Sequence, residues 1–186
     1  YDDHNTDVDV TSPASSPYVT AVGGTSTGLT ADNHIAVEAG WEIALRFADT
    51  GGLIAPGFVY GSGGGSSRHY GRPSWQRSIA AGTGRMVPDV AALADPNTGF
   101  TVYGPHRGQT EYASYGGTSL ASPMVASMVA ITKAAKGLKI GLATPWLYKL
   151  RGTSAIRDVG PVSAAIWSAK GVDPGQATPE TPYLWD

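Results

Sequence analysis

The stretch YGGTSLASPMVASMVA, residues 115–130, constrains the fold more than any other part of this sequence. Leu120, Met124 and Met128 form one i, i+4 row, and Ala121, Val125 and Val129 form the next. That period predicts a helix from Ser119 to about Ala135. It is apolar over most of its surface, so it is expected to be central and buried. Pro123 costs little so close to the start, because first-turn N–H groups have no intrahelical acceptor to lose.

The remaining segments place layers around that helix. Tyr18–Val22 (YVTAV) is β-branched and aromatic and reads as a short buried strand that stops at Gly23-Gly24. Residues 35–48 fit strand or helix. GSGGGSSR (61–68) reads as loop, and Pro73–Ala80 as a short helix with proline near its start. Val87–Ala94 reads as a buried segment ended by DPNTG. Phe100–Tyr103 and Thr110–Ala113 flank GPHRGQ as a hairpin. Thr144-Pro145 reads as the N-cap and first position of another helix, and the chain is loop-like after Asp158. Short apolar strands interleaved with helices predict an α/β layered fold.

The chain has 186 residues, enough for one domain or a large part of a bigger one. Charged residues make up 15% and the net charge is −2, so there is no electrostatic footprint for nucleic acid. No apolar run approaches the length that crosses a bilayer. The absence of cysteine excludes Cys nucleophiles and Cys-ligated metals. The chain starts at Tyr1 and shows no signal peptide, so a preceding segment of the same precursor is expected.

Ser119 is the residue on which chemistry turns. The first turn of a helix carries free N–H groups and a partial positive charge. A serine there can attack a carbonyl while the developing oxyanion sits near those donors. Gly116 and Gly117 remove side chains, so a substrate backbone could approach closely. From spacing alone a second reading stays open: Ser119 or Thr118 is simply an N-cap.

GTSLASPMVA resembles the nucleophile segment of the subtilase superfamily, where Gly-Thr-Ser opens a buried helix. Other segments are similar to one branch of it, the sedolisins or serine-carboxyl peptidases. They are SPASSPYVTAVGGTS (12–26), EAGW (38–41), GSGGGSSRHYGRPSWQ (61–76) and RMVPDVAALADPNTGFTVY (85–103), in the family's order. The match runs from about residue 12 to 160. It implies the carboxy-terminal portion of a subtilisin-like three-layer catalytic domain with a mainly parallel sheet, spanning residues 1–186 and incomplete in this chain. In that reading Ser119 is the nucleophile, and Gly116, Gly117 and Thr118 bind substrate. The subtilisin alternative, with Asp, His and Ser, would place its histidine before Tyr1. Its oxyanion asparagine finds no convincing counterpart in Asn5, Asn33 or Asn97.

A serine hydroxyl needs a base. The sedolisin solution is a Glu/Asp pair at i and i+4 on one helix, with a further aspartate in the oxyanion hole. Glu38 and Glu42 have that spacing, but acidic pairs at i, i+4 are common on solvated helix faces. EAGW also matches a non-catalytic family segment, so the pair is rejected. Asp3 and Asp7 also have the spacing but lie among turn formers. Asp2 and Asp3 lie near the expected place of the oxyanion aspartate without its glycine neighbours. All three family carboxylates are therefore expected from a segment or chain before Tyr1. An oxyanion aspartate must be protonated to donate, which implies an endopeptidase or tripeptidyl-peptidase working at acid pH. The resemblance also implies secretion and a pro-region. The rival readings are a non-catalytic, peptide-binding member of the same fold and a His-dependent subtilisin-type protease.

SAIRDVG (154–160) and SAKGVDP (168–174) set Asp158 and Asp173 across a loop. From the residues alone they could bond local backbone instead. The sedolisin resemblance implies a calcium site here, with Asp158 and Asp173 as carboxylates and Val159, Ala169 and Gly171 as carbonyl donors. Hard oxygen donors of this kind suit Ca²⁺. The chain departs from the family pattern in Ala169 and Val172, where the family has Gly and Trp, and in its shorter loop. Asp89 is expected to satisfy buried backbone groups, Arg72 and Trp75 to be structural, and Trp41, Trp146 and Trp167 to lie in the core. His4, His34, His69 and His106 lack metal spacing. GSGGGSSR lacks the Gly-Lys-Ser/Thr ending of a phosphate loop, and its glycines are expected to let backbone come close near the substrate groove or simply to let loops cross.

Overall fold

The structure, a computed structural model, describes residues 10–45, 48–49, 52–53, 57–79 and 82–159. Its central strand, β1 (Val22–Leu29), begins where the sequence suggested a strand would end. Tyr18, expected inside that strand, is 83% exposed. The reason lies in what Gly23 and Gly24 do. A Cβ at Gly23 would lie 2.7 Å from Pro88 Cγ, and one at Gly24 would collide with Ala94 and stand 3.1 Å from the Trp41 ring. These glycines admit neighbours to the strand and do not stop it.

β2 (Ile35–Gly40) returns antiparallel to β1, with Thr25 opposite Gly40 and Thr27 opposite Glu38. Residues 35–45 are thus strand, continued after a corner at Trp41 by β3 (Glu42–Leu45). A small pair, β4 (Ala48–Asp49) and β5 (Gly52–Leu53), precedes β6 (Gly57–Gly61), which lies antiparallel to β3. β7 (Gly65–Gly71) pairs with β8 (Gly84–Val87). The expected loop at 61–68 is therefore reduced to residues 62–64, because Gly65 and Ser66 pair opposite Val87 and Met86. A single 3₁₀ turn, Ser74–Gln76, stands where a helix was expected.

β9 (Val90–Leu93) runs parallel to β1, from Val22 opposite Val90 to Thr25 opposite Leu93. The sheet is thus mixed, in the order β2-β1-β9. The predicted hairpin is present with longer strands, β10 (Phe100–His106) and β11 (Gln109–Tyr115). Arg107 and Gly108 turn it with φ of 48° and 83°, the positive-φ geometry that matches strand twist.

The long helix is α1 (Thr118–Lys136), closed by Gly137 at φ 61°. The Leu138 N–H then bonds the Lys133 carbonyl at 3.0 Å, satisfying an orphan acceptor. α1 packs on β1 and β9, and Trp41, Ala94 and Ala121 form the buried cluster between them. Trp41 dominates it, since a buried aromatic removes roughly 150–250 Å² from water. Burial on all sides, expected for α1, is not found among the described residues. Ala121 and Val125 are buried, while Met128 is 55% and Ile131 68% exposed. One sheet face covers one stripe of a helix, and the described chain supplies only that face. A second helix, α2 (Thr144–Lys149), begins one residue off the expected register: Ala143 is its cap. Thr144 is buried and its hydroxyl bonds that of Thr20 at 2.8 Å. Trp146, expected in the core, is instead 52% exposed on this short helix, and Trp167 lies outside the described residues.

A buried polar network joins these parts. Arg85 and Asp89 form an ion pair at 2.5 Å with both side chains fully buried. Asp89 also accepts the Ala21 N–H at 2.8 Å, the backbone role expected of it. Gln76 donates to the Met86 carbonyl and accepts the Met86 N–H, at 2.7 and 2.9 Å. Burial pushes the Tyr148 phenol up to about 12, so it stays protonated and donates to Asp89 Oδ1 at 3.1 Å. The network ties α2, the 3₁₀ turn and residues 19–21 to the strand pair that leads into β9.

Candidate active site

The loop before α1 is built by glycine for two separate reasons. Gly117 has φ 88° and ψ 162°, a conformation that strains any residue with a Cβ. Its N–H donates to the Ala94 carbonyl, and its own carbonyl accepts from the Leu120 and Ala121 N–H groups at 2.9 and 3.3 Å. Gly116 is small because a methyl there would run into the Ala94 carbonyl and into Pro96. Its missing side chain therefore makes room for the turn beneath it.

This geometry removes the N-cap reading of Ser119 and Thr118. Gly117 is the N-cap and bears no side chain, while Thr118 and Ser119 already lie inside the helix. Neither hydroxyl caps it. Ser119 is exposed on the first turn, whose leading N–H groups have no intrahelical acceptor. Ala94 follows directly on β9, so the serine stands at the carboxyl end of a strand parallel to β1. Crevices at that end of a parallel strand are where α/β folds place ligands.

A cleft of about 370 Å³ opens beside Thr118, lined among others by Ala21, Gly63, Gly64 and Pro88. Gly63 and Gly64 of the 61–68 stretch thus line the same cleft as Thr118. A larger cleft of about 540 Å³ follows the other flank of α1, along Val125, Val129, Tyr18 and Leu142.

The turn under the serine loop is held by Asp95, a residue the sequence reading did not single out. Asp95 is 2% exposed. Its Oδ2 accepts the Ser26 hydroxyl at 2.5 Å and its Oδ1 accepts the Asn97 N–H at 2.9 Å. The Asp95 N–H donates to the Thr25 carbonyl at 3.1 Å, and the Thr98 N–H returns to the Asp95 carbonyl at 3.1 Å. Ser114 donates to the Pro96 carbonyl at 2.6 Å. The only signal for this in the sequence was an aspartate between a buried segment and Pro-Asn.

The described carboxylates of this region have other partners. Glu38 and Glu42 lie on different strands, β2 and β3, so they share no helix face. Glu38 accepts from the Thr25 hydroxyl at 3.3 Å. Asp89 serves Arg85, and Asp95 serves Ser26 and Asn97. Asp2, Asp3 and Asp7 lie outside the described residues. His34 stands beside Asp32 at 3.5 Å, and His106 Nδ1 lies 3.2 Å from the Tyr115 hydroxyl.

Of the expected metal ligands, Asp158 is exposed and Val159 half-buried. Ala169, Gly171 and Asp173 lie outside the described residues. Among the described residues no group of three or more His, Cys, Asp or Glu gathers around a common point. No described helix is long and apolar enough to cross a membrane.

The model of the subtilase family matches residues 2–146. Kumamolisin from Bacillus sp. (strain MN-32) is 38% identical over 146 residues, which is 74% of this chain and 23% of that protein. Tripeptidyl-peptidase 1 from Macaca fascicularis is 29% identical over 206 residues, covering 94% of this chain and 32% of that protein. In three dimensions the chain is similar to Pseudomonas sedolisin, a serine-carboxyl proteinase solved in complex with two molecules of pseudo-iodotyrostatin. The TM-score is 0.65 at 30% identity, over 81% of this chain and 39% of that one. The chain spans less than a third of the length of these curated relatives.

Proposed function

Because the chain belongs to the subtilase family, in its sedolisin branch, we propose that it is the nucleophile-bearing part of a serine-carboxyl peptidase. The observation that carries this is the placement of Ser119. Its side chain is exposed on the first turn of α1, free of capping duty, next in the chain to Thr118, which lines a cleft, and at the end of a parallel strand. Peptide or protein is the substrate. Ser119 Oγ attacks the carbonyl carbon of the scissile bond and its proton passes to a carboxylate base. The tetrahedral oxyanion collapses, the C–N bond breaks, and the leaving amine takes that proton. Water then hydrolyses the acyl-enzyme by the same route in reverse. Gly116, Gly117 and Thr118 present backbone to the substrate.

The base and the oxyanion donor are proposed to come from carboxylates outside this chain, on a preceding segment or chain of the same precursor. A Glu/Asp pair relays the proton, and a protonated aspartate donates to the oxyanion. That last requirement favours acid pH, because a carboxyl group donates only in its neutral form. Secretion and synthesis with a pro-region complete this reading.

Asp158 and Asp173, with the carbonyls of Val159, Ala169 and Gly171, would hold a calcium ion. Two carboxylates and three carbonyls are hard oxygen donors of the type Ca²⁺ takes. The ion would supply charge neutralisation that pins the loop following the serine helix and its neighbours. Chelation of the complete protein is expected to lower its melting temperature by several degrees, and calcium to restore it. A melting temperature indifferent to chelator and to added Ca²⁺ would remove the ion from this proposal.

The decisive test of the peptidase reading is trapping. The complete protein, treated with a peptide aldehyde at acid pH, is expected to carry a hemiacetal on Ser119 with carboxylates around it. A histidine at the hydroxyl would support the subtilisin-type rival. Reversible peptide binding with no adduct would support a non-catalytic scaffold.

A further inference from the structure

We infer that Asp95 is a positioning residue for Ser119, acting through the backbone of the serine loop. The inference rests on the peptidase reading and extends it to a residue that never meets the substrate. A chain of contacts connects the two. Ser26 on β1 donates to Asp95, and the Thr27 N–H donates to the Thr98 hydroxyl at 3.2 Å, so the 95–98 turn is pinned to the central strand at both ends. The other Asp95 oxygen closes that turn onto the Asn97 N–H. The turn then carries the serine loop. The Ala94 carbonyl receives the Gly117 N–H, and the Pro96 carbonyl receives the Ser114 hydroxyl.

Steric fit makes the seating firm. A Cβ at Gly116 would strike Ala94 and Pro96, and one at Gly99 would strike the Tyr115 carbonyl and stand 3.1 Å from the Asp95 carbonyl. Two backbones that approach this closely at glycine cannot slide past each other, because close-packed groups leave no room for adjustment. Gly117 is also locked by its left-handed φ, so a shift of Ala94 is passed to the start of α1 and to the Ser119 hydroxyl. A nucleophile misplaced by about 1 Å can lose 10²-fold in rate with little change in binding.

The test compares Asp95→Ala, Asp95→Asn and Ser26→Ala in the complete protein, with Tyr148→Phe as a control distant from the serine loop. Asparagine keeps an oxygen for the Asn97 N–H and offers an N–H to Ser26. Asp95→Ala is expected to lower kcat by about 10- to 100-fold with KM changed less than about threefold, and Asp95→Asn to recover most of the loss. Labelling of Ser119 by an active-site phosphonate should slow by the same factor as kcat. Ser26→Ala, the milder change, should lower kcat in the same direction and serves if Asp95→Ala does not fold. The control should lose stability without a selective loss in kcat.

Unchanged kcat in folded Asp95→Ala would overturn the inference, as would unchanged kcat in Ser26→Ala where Asp95→Ala does not fold. So would a loss equal to that of the control at matched stability. Failure of the unsubstituted protein to hydrolyse peptide or to label at Ser119 is a separate result. It overturns the peptidase reading itself and this inference with it.

Discussion

Replacing Ser119 by alanine in the complete protein is expected to lower peptide hydrolysis by about 10⁴-fold or more, since removing the nucleophile leaves only binding and electrostatic contributions to the rate. Stability should hardly move. The side chain is exposed and caps nothing, so its loss opens no cavity and orphans no buried group. Substrate affinity should also survive, because the cleft beside Thr118 is lined by other residues. Initial rates, an inhibition constant for a substrate-like peptide and a melting curve together check all three statements. Ser127, exposed on the same helix but away from its first turn, supplies the control. Residual activity within about tenfold of the original would show that another group attacks the carbonyl.

The second large effect is on folding. Asp89→Ala is expected to destabilise the protein by about 3–5 kcal/mol, the usual result of leaving a buried charge without its partner. Arg85 is fully buried, so bulk solvent does not reach it to replace the lost carboxylate. The same substitution strips acceptors from the Ala21 N–H and the Tyr148 hydroxyl. Urea denaturation of the single variant measures the loss. The double change Arg85→Met, Asp89→Leu should return a large part of it, because apolar residues of similar volume need no partner. A cost below about 1 kcal/mol for Asp89→Ala would mean that the pair is hydrated and weak.

Those two residues show how the sequence could be read and where reading stopped. Asp89 was legible as a buried backbone acceptor because an acidic residue inside an apolar segment has to bond something. Its partner Arg85 was not, since the pairing depends on β8 and β9 folding about Pro88. The hairpin of β10 and β11 was legible from alternating residues around a Gly-containing turn. Strand β1 was misplaced because Gly23 and Gly24 look like a stop. Their real function, admitting Pro88, Ala94 and Trp41, involves residues remote in the chain. Asp95 escaped for the same reason, its contacts being to Ser26 and to the turn it closes.

The order of residues alone established a long apolar helix opened by Gly-Gly-Thr-Ser, an α/β layering and a resemblance to serine-carboxyl peptidases. Local periodicity and turn chemistry act within a few residues, so they are visible in one dimension. Only the folded chain decided that Gly117 caps the helix and frees Ser119, that β1 and β9 run parallel beneath it, and that Glu38 and Glu42 share no helix face. Each of these depends on which distant backbone comes within hydrogen-bonding or van der Waals reach, and packing in three dimensions sets that.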